Sequence, residues 1–180
     1  MHKHGKIKNK TVFLAGDGPH SANILNNGAI SMQMTAPEYR SELLSPKGYD
    51  GYFINSGARH FVSESKNIDD DFVFLAGKNI RNSKIFQPQG INVNFYKIID
   101  ENTIEVKTYE KGIEKMMSSC ASGSFACAFH VYQKDKINNN FIIMNEGGNS
   151  SIIFEDTRHL FIGNAEIEYS KIIDFNQFLN

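Results

Sequence analysis

The sequence of 180 residues contains no tryptophan and only two cysteines, Cys120 and Cys127. Two cysteines are too few for a disulfide scaffold and favour a reducing compartment, so we expect a cytoplasmic protein. No apolar run reaches the roughly 20 residues that a membrane-spanning helix needs. No apolar block follows the basic start either, so a signal peptide is not predicted.

An excess of either charge is also missing, because 19 Lys and Arg residues face 20 Asp and Glu residues. This balance gives no electrostatic reason to expect a nucleic-acid partner. Glycine-rich phosphate-binding motifs are absent, so nucleotide binding is not supported. His2 with His4, and the acidic run at 69–71, are weak metal candidates; a frayed terminus and a solvated surface are the preferred interpretations. We therefore predict no metal site.

What the sequence does contain is many short stretches with the apolar pattern of β-strands and one stretch that is apolar almost all round. The latter, at 122–133, predicts a buried helix. Residues 72–82 are ambiguous but can form a short helix with one apolar face, and 35–50 are expected to be loop. The arrangement predicts one α+β fold. The predicted strands are 11–15, 21–25, 29–34, 51–55, 60–63, 91–99, 103–109, 141–144, 151–154, 160–162 and 166–169.

Cys120 stands where the buried helix should begin. Free N–H groups and the positive end of the helix dipole stabilise anions there, so we expect the thiol to ionise more easily than a free cysteine. A substrate carboxylate could also lie on the backbone N–H groups of 121–124. The alternative is a small buried residue, with Ser122 or Ser124 as the true cap. Cys127 lies two turns further along and is interpreted as core, as His20, His130 and His159 are interpreted as structural.

Three motifs resemble the C-terminal half of the diaminopimelate epimerases: Gln-Gly-Ile-Asn-Val-Asn-Phe at 89–95, Tyr-Glu-Lys-Gly at 109–112 and Ser-Cys-Ala-Ser-Gly-Ser at 119–124. Weaker matches at 55–62, 81–86, 146–148 and 162–166 keep the same order. The resemblance implies one lobe of a two-lobed fold, in which a mixed β-sheet wraps around a central buried helix.

The resemblance also implies an activity. The family inverts an amino-acid α-carbon, from LL- to meso-diaminopimelate in lysine and peptidoglycan precursor synthesis, without cofactor or metal. Two cysteines on opposite faces of the substrate serve as base and acid, because inversion removes a proton from one face and returns it to the other. The implied catalytic residues are Cys120, His60 and Glu110, and the implied substrate-binding residues are Asn92, Glu110, Lys111, Ala121 and Ser122.

Several positions depart from the family pattern. Ala58-Arg59 replaces the Asn-Pro that usually precedes the histidine, so a substrate-binding amide is lost. Lys111 replaces an arginine, so an ammonium group with a single point of charge replaces a guanidinium that can bind a carboxylate in a bidentate way. Met116-Met117 and Ala121-Ser122 replace Glu-Thr and Gly-Thr around the cysteine motif. These changes bear on the identity of the substrate more than on the fold.

Length is the largest departure, since the first catalytic cysteine and its Gly-Asn-Gly loop have no counterpart. By analogy, 1–28 is a strand hairpin left from the N-terminal lobe, 29–169 the C-terminal epimerase lobe, and 170–180 a strand returning to the N-terminal lobe. The outer segments would have little to pair with on their own. The implied partners are an amino-acid substrate and a separately encoded N-terminal lobe, or a second copy in a homodimer.

Three hypotheses for function remain open. The first is the epimerase half, in which this chain carries only one of the two thiols. The second is a different enzyme: a racemase for another amino acid, or an acyl transferase with Cys120, His60 and Glu110 as nucleophile, base and orienting group. The third is a lobe that only binds a ligand or a partner chain.

Overall fold

A computed structural model of the chain describes residues 5, 7–136 and 138–165, which form twelve strands and two α-helices. The predicted strands within these residues are confirmed to within a few residues, and the ambiguous stretch at 72–82 is a helix. The elements are β1 (Lys10–Ala15), β2 (Gly18–Ile24), β3 (Ile30–Met34), β4 (Glu38–Tyr39), β5 (Tyr52–Asn55), β6 (Arg59–Glu64), α1 (Asp70–Arg81), β7 (Asn92–Ile98), β8 (Thr103–Glu110), β9 (Lys115–Met117), α2 (Ala121–Asp135), β10 (Asn140–Asn145), β11 (Gly148–Phe154) and β12 (His159–Gly163).

The strands join into one mixed sheet with the order β1-β2-β3-β12-β11-β10-β8-β7-β6-β5-β4, and the short β9 pairs with β8. The pairs β6–β7 and β8–β10 are parallel, whereas the other neighbouring strands run antiparallel. The α+β class and the mixed sheet are therefore confirmed.

Helix α2 is the centre of the larger core. Its residues 123–131 are all buried, and the side chains around it include Ile54, Val62 and Ile152, which come from strands far apart in the sheet order. The sheet therefore curves around α2, as a helix without a polar face requires. Cys127 is fully buried in this core, as predicted. Neither helix in the described residues is long and apolar enough to cross a membrane.

Helix α1 packs on the outer face of the same sheet through Val73, Ala76 and Ile80. Because side chains alternate along a strand, Phe61 contributes to this outer core while its neighbour Val62 contributes to the core around α2. The sheet thus separates two apolar clusters, and any polar side chain on its inner face must find a partner near α2.

The acidic run at 69–71 is the start of α1. Asp69 is the N-cap, and its carboxylate accepts a hydrogen bond of 2.8 Å from the backbone N–H of Phe72. Asp70 and Asp71 lie in the first turn, where negative charge complements the helix dipole. These carboxylates therefore have a structural explanation.

The hairpin of β1 and β2 continues the main sheet, because β2 pairs with β3 and β3 pairs with β12. The expectation that residues before 28 would have little to pair with is therefore wrong for β2. The edge of the sheet falls on β1, where Val12 and Leu14 are 71% and 82% exposed. The predicted strand at 166–169 and the segment 170–180 lie outside the described residues, and the domain boundaries stay predictions.

Gly77 gives a test of how closely α1 approaches the sheet. A Cβ at this position would lie 2.5 Å from the Cβ of Tyr109. Gly→Ala inside a helix ordinarily stabilises by about 0.5–1 kcal/mol, but this overlap should reverse the sign and cost about 1–3 kcal/mol. Urea unfolding of Gly77→Ala measures it. Gly16→Ala, with open space around the new methyl group, is the control, and equal stability of both variants would contradict the packing.

Candidate active site

The residues singled out by the sequence meet at one end of the sheet. The parallel strands β6 and β7 begin there and the antiparallel β8 ends there, which places His60 opposite Asn92 and brings Glu110 beside them. Cys120, in an extended conformation, is the N-cap residue from which α2 starts at the same end. The predicted location of the cysteine at the helix N-terminus is confirmed.

The thiol of Cys120 lies 3.7 Å from the hydroxyl of Ser122. Burial raises the pKa of this thiol, and the neighbouring Glu110 carboxylate raises it further. The backbone N–H of Gly123 and the Ser122 hydroxyl act in the opposite direction but do not outweigh burial. The expectation of an easily ionised thiol is therefore wrong: the protonated form is favoured because the sulfur loses hydration.

His60 is fully buried, and both of its ring nitrogens have partners. Nε2 lies 3.0 Å from the Ser122 hydroxyl oxygen, and Nδ1 lies 3.0 Å from Nδ2 of Asn94. Burial lowers the pKa of His60 to about 4, so the ring is neutral near pH 7. The imidazole therefore reaches Cys120 only through Ser122, and Glu110 acts on the sulfur instead of orienting the ring. A nucleophile–base–orienting group of Cys120, His60 and Glu110 is not formed.

Asn94 and Thr108 belong to the same polar group, although neither was predicted as a site residue. Both are buried, they are opposite each other on β7 and β8, and the Thr108 hydroxyl donates to Oδ1 of Asn94 over 2.9 Å. The alternation of β7 carried the signal, because Asn94 shares the inner face with Tyr96. A buried amide needs hydrogen-bond partners, and Asn94 finds them in Thr108, His60 and the Phe61 carbonyl.

Asn92 and Lys111, both predicted to bind the substrate, are joined to each other. The amide oxygen of Asn92 accepts a 2.9 Å hydrogen bond from the backbone N–H of Lys111. The Lys111 ammonium donates to the carbonyl of Gln89 over 3.2 Å. Asn92 therefore holds the turn that follows Glu110, and its role toward a substrate stays a prediction.

A cavity of about 350 Å³ lies against the start of α2. Ala121 and Ser122 form one wall, the loop 56–58 forms another, and the β1–β2 hairpin forms a third. The N–H groups of a first helical turn have no acceptor within the helix, so this wall can hold an anion. The Ser56 hydroxyl anchors the loop by donating to the Ser122 carbonyl over 2.8 Å. Ala58, which replaces the family's asparagine, lines this cavity.

His20, on the hairpin wall of this cavity, is tied to the chain at both ring nitrogens. Nε2 lies 2.8 Å from a carboxylate oxygen of Asp17, and Nδ1 donates to the Gln33 carbonyl over 2.9 Å. The bond to Asp17 raises the pKa of His20. Neither nitrogen is left for a substrate, in keeping with a structural role. His130 is similarly bonded, 2.7 Å from the Tyr39 hydroxyl.

Glu110→Gln should lower the pKa of Cys120, because the variant removes a negative charge that opposes the thiolate. We expect up to a roughly tenfold higher alkylation rate at pH 7.5, equivalent to about one pKa unit. The rate of iodoacetamide modification against pH measures it, with the modified residue mapped by mass spectrometry. Glu105→Gln, on the other end of β8, is the control. Equal alkylation rates in both variants would show that the Glu110 charge does not affect the pKa of Cys120.

His60 should make the free energy of unfolding depend on pH. Its folded pKa of about 4 lies below the value of about 6.5 for an unfolded imidazole. The unfolded chain therefore binds the proton first as the pH falls, and stability should decrease from about pH 6.5 to about pH 4, by about 3 kcal/mol from this residue. Urea unfolding of wild type and His60→Gln across this range isolates the effect. An unchanged slope in the variant would exclude His60 as its source.

The chain is similar in sequence to several curated proteins. No family model matches it. It is 34% identical to the diaminopimelate epimerase of Flavobacterium psychrophilum over 157 residues, 86% of this chain and 59% of that protein. It is 36% identical to the Aquifex aeolicus enzyme of the same name over 137 residues, 74% of this chain and 49% of that protein. A Campylobacter jejuni diaminopimelate epimerase is 27% identical over 98% of this chain and 68% of its own length.

Solved structures share the fold at low sequence identity. A hydroxyproline epimerase from Agrobacterium vitis superposes on 90% of this chain and 60% of its own, with a TM-score of 0.70 and 13% identity. A phenazine biosynthesis protein of the PhzF family from Bacillus anthracis covers 91% of this chain and 68% of its own, with a TM-score of 0.60 and 11% identity. Over most of its length the chain is similar in sequence to diaminopimelate epimerases, and it spans about half to two thirds of the length of these curated relatives.

Proposed function

We propose that this chain supplies one half of a cofactor-independent amino-acid epimerase site, with Cys120 as the group that exchanges the substrate's α-proton on one face. The observation that carries the proposal is the placement of the Cys120 sulfur. It lies at the start of α2, 3.7 Å from the Ser122 hydroxyl; the Glu110 carboxylate favours the thiol, and the Ser122 hydroxyl and Gly123 N–H favour the thiolate. A group with opposing influences of this kind suits both directions of proton transfer.

The proton balance follows from this placement. In one direction the Cys120 thiolate takes the α-proton and becomes a thiol, while a second group returns a proton to the opposite face. In the other direction the Cys120 thiol gives its proton and becomes the thiolate. The negative charge that develops on the α-carbon spreads onto the substrate's carboxylate. N–H groups at the start of α2, at Ala121 and Ser122, are placed to stabilise that charge.

The second proton-handling group must come from elsewhere than Cys127, because that thiol is fully buried in the core. The curated relatives are longer than this chain, and we assign the second group to a lobe equivalent to the part of them that it does not match. The exposed apolar side chains of Val12 and Leu14 on the edge strand β1 supply a surface for that lobe. Whether the lobe is a separate chain or a second copy is decided by the experiment below.

Diaminopimelate is the first candidate substrate, since the relatives carry its name. A second candidate, another amino acid, is favoured by Ala58, which lines the cavity beside Ala121 and offers no side-chain amide. Lys111 supports the same alternative, because its ammonium is held by the Gln89 carbonyl. Both candidates share an α-amino acid carboxylate, which the start of α2 would hold.

Exchange of the α-proton in deuterated water tests the proposal. The chain is mixed with the segment of the Flavobacterium psychrophilum relative that it does not match, and LL- or meso-diaminopimelate is followed by NMR. We expect exchange with both parts present, and a loss of at least about 100-fold in Cys120→Ser, since the general acid–base group is gone. Cys127→Ala, which changes a core thiol, is the control and should keep exchange.

Binding separates the remaining hypotheses. Titration of the 15N-labelled chain with diaminopimelate, and with a panel of other amino acids, should shift the backbone resonances of Ala121 and Ser122. Binding without exchange when the second lobe is present would identify a non-catalytic binding lobe. Exchange by the chain alone would point to a second copy as the source of the other group. If no amino acid binds and none exchanges its α-proton, the proposed function is refuted.

A further inference from the structure

The orientation of the Asn94 amide is determined by its surroundings. Its Nδ2 lies 3.1 Å from the carbonyl oxygen of Phe61, which can only accept a hydrogen bond. The atom facing that carbonyl must therefore be the NH₂ group, and Oδ1 is left to accept from the Thr108 hydroxyl over 2.9 Å. A reversed amide would place Oδ1 against the Phe61 carbonyl and lose that buried hydrogen bond, so this contact fixes the orientation, and the Thr108 hydroxyl, which can donate or accept, fits it.

This orientation decides the proton position on His60. The same NH₂ group lies 3.0 Å from Nδ1 of His60 and donates to it, so Nδ1 carries no proton in the neutral ring. The single ring proton is then on Nε2, which donates to the Ser122 oxygen 3.0 Å away. Because the Ser122 oxygen accepts this bond, its own O–H is free to donate to the Cys120 sulfur, 3.7 Å away.

We propose that Asn94 is a positioning residue that fixes the Nε2–H tautomer of His60 and thereby aligns a chain of donors, through Ser122, on the Cys120 sulfur. The inference rests on the proposed role of Cys120 and extends it to a residue that does not touch the reacting atoms. His60 serves here as a hydrogen-bond donor. The direction of the hydrogen bonds excludes His60 as an acceptor of the Cys120 proton.

The packing of α2 explains how the amide stays in place. A Cβ at Gly123 would lie 2.2 Å from Oδ1 of Asn94 and 3.2 Å from the Thr108 hydroxyl. The first turn of α2 therefore packs directly on this pair, and only glycine fits at position 123 without a shift of the Asn94 amide. The same turn presents the N–H of Gly123 to the sulfur, so the donor chain and the helix start act on the thiol together.

Other groups near the sulfur act against the donor chain and must be kept constant in a test. Glu110 favours the neutral thiol by its charge, as burial does by removing water from the sulfur. A merely structural role for Asn94 predicts lower stability of its variants without a specific effect on Cys120. The two roles therefore differ in the thiol's pKa and in the state of the His60 ring.

The tautomer of His60 is read directly from long-range 1H–15N correlation spectra of the wild-type chain at pH 7, with the resonances assigned by their loss in His60→Gln. We expect a protonated Nε2 and an unprotonated Nδ1. A ring protonated at Nδ1 would overturn the inference. This measurement needs no change at Asn94, so it decides the matter even where a variant fails to fold.

The effect on the thiol is read from the pH dependence of Cys120 alkylation. Ser122→Ala and Asn94→Leu should each raise the apparent pKa by roughly half a unit to one unit, the worth of one hydrogen bond. The double variant should match Ser122→Ala alone, because Asn94 acts through Ser122. The control is Ser63→Ala, on the same strand as His60, which loses a buried hydrogen bond to the Asp50 carbonyl. It should leave the pKa of Cys120 unchanged.

Two results would contradict the donor chain: an unchanged pKa in Asn94→Leu, or shifts that add fully in the double variant. Neither spectrum nor alkylation requires a substrate, so these outcomes are independent of epimerase activity. If no substrate exchanges its α-proton, the proposed function is refuted, but the tautomer and pKa measurements still test the donor chain. An intact exchange with an Nδ1-protonated His60 would refute only the role of Asn94.

Discussion

The contact between the first turn of α2 and the inner face of the sheet is the constraint on which the site depends. Gly123 has no side chain, and a methyl group there would overlap the Asn94 amide. This absence lets the helix start lie directly on three buried polar residues, His60, Asn94 and Thr108, from three neighbouring strands. Buried polar groups are costly unless each has a partner, so the helix and the sheet hold one another in a single register.

The same contact determines the chemistry of Cys120. Removing the sulfur from water favours the neutral thiol, and Glu110 adds to this effect. Hydrogen bonds from the Gly123 N–H and the Ser122 hydroxyl stabilise the thiolate and offset part of this effect. The helix N-terminus is therefore one influence among several, and burial is the largest. A thiol of this kind keeps its proton until a bound substrate changes the balance, as a group that both gives and takes a proton must.

The β1–β2 hairpin connects this site to the rest of the sheet. It pairs through β3 and also forms a wall of the cavity beside Ala121 and Ser122. Asp17, in its turn, approaches the loop that carries Ala58: a Cβ at Gly57 would lie 2.4 Å from its carboxylate. The hairpin thus belongs to the site as well as to the sheet edge, whereas the analogy with a two-lobed fold had predicted little pairing for it.

Much of the fold was present in the sequence as local pattern. The alternation of β7 and β8, the all-round apolar stretch of α2 and the position of Cys120 ahead of it are set by neighbours a few residues apart. The family motifs identified Cys120, His60 and Glu110 as one group, and the structure brings them to one end of the sheet. The helix at α1 stayed ambiguous, because its apolar face only becomes clear against Phe61 and Phe95 on the outer side of the sheet.

The sequence by itself predicted the elements, the resemblance to the diaminopimelate epimerases and the helix start that carries the thiol, since these depend on periodicity and on motifs that are contiguous in the chain. Only the tertiary structure decided that the thiol keeps its proton, that His60 reaches it through Ser122, and that Asn94 orients the ring. The physical reason is that hydration, charge and hydrogen-bond direction depend on which residues meet across strands. His60 and Ser122, for example, are 62 positions apart, and a pattern of neighbouring residues does not predict such a contact.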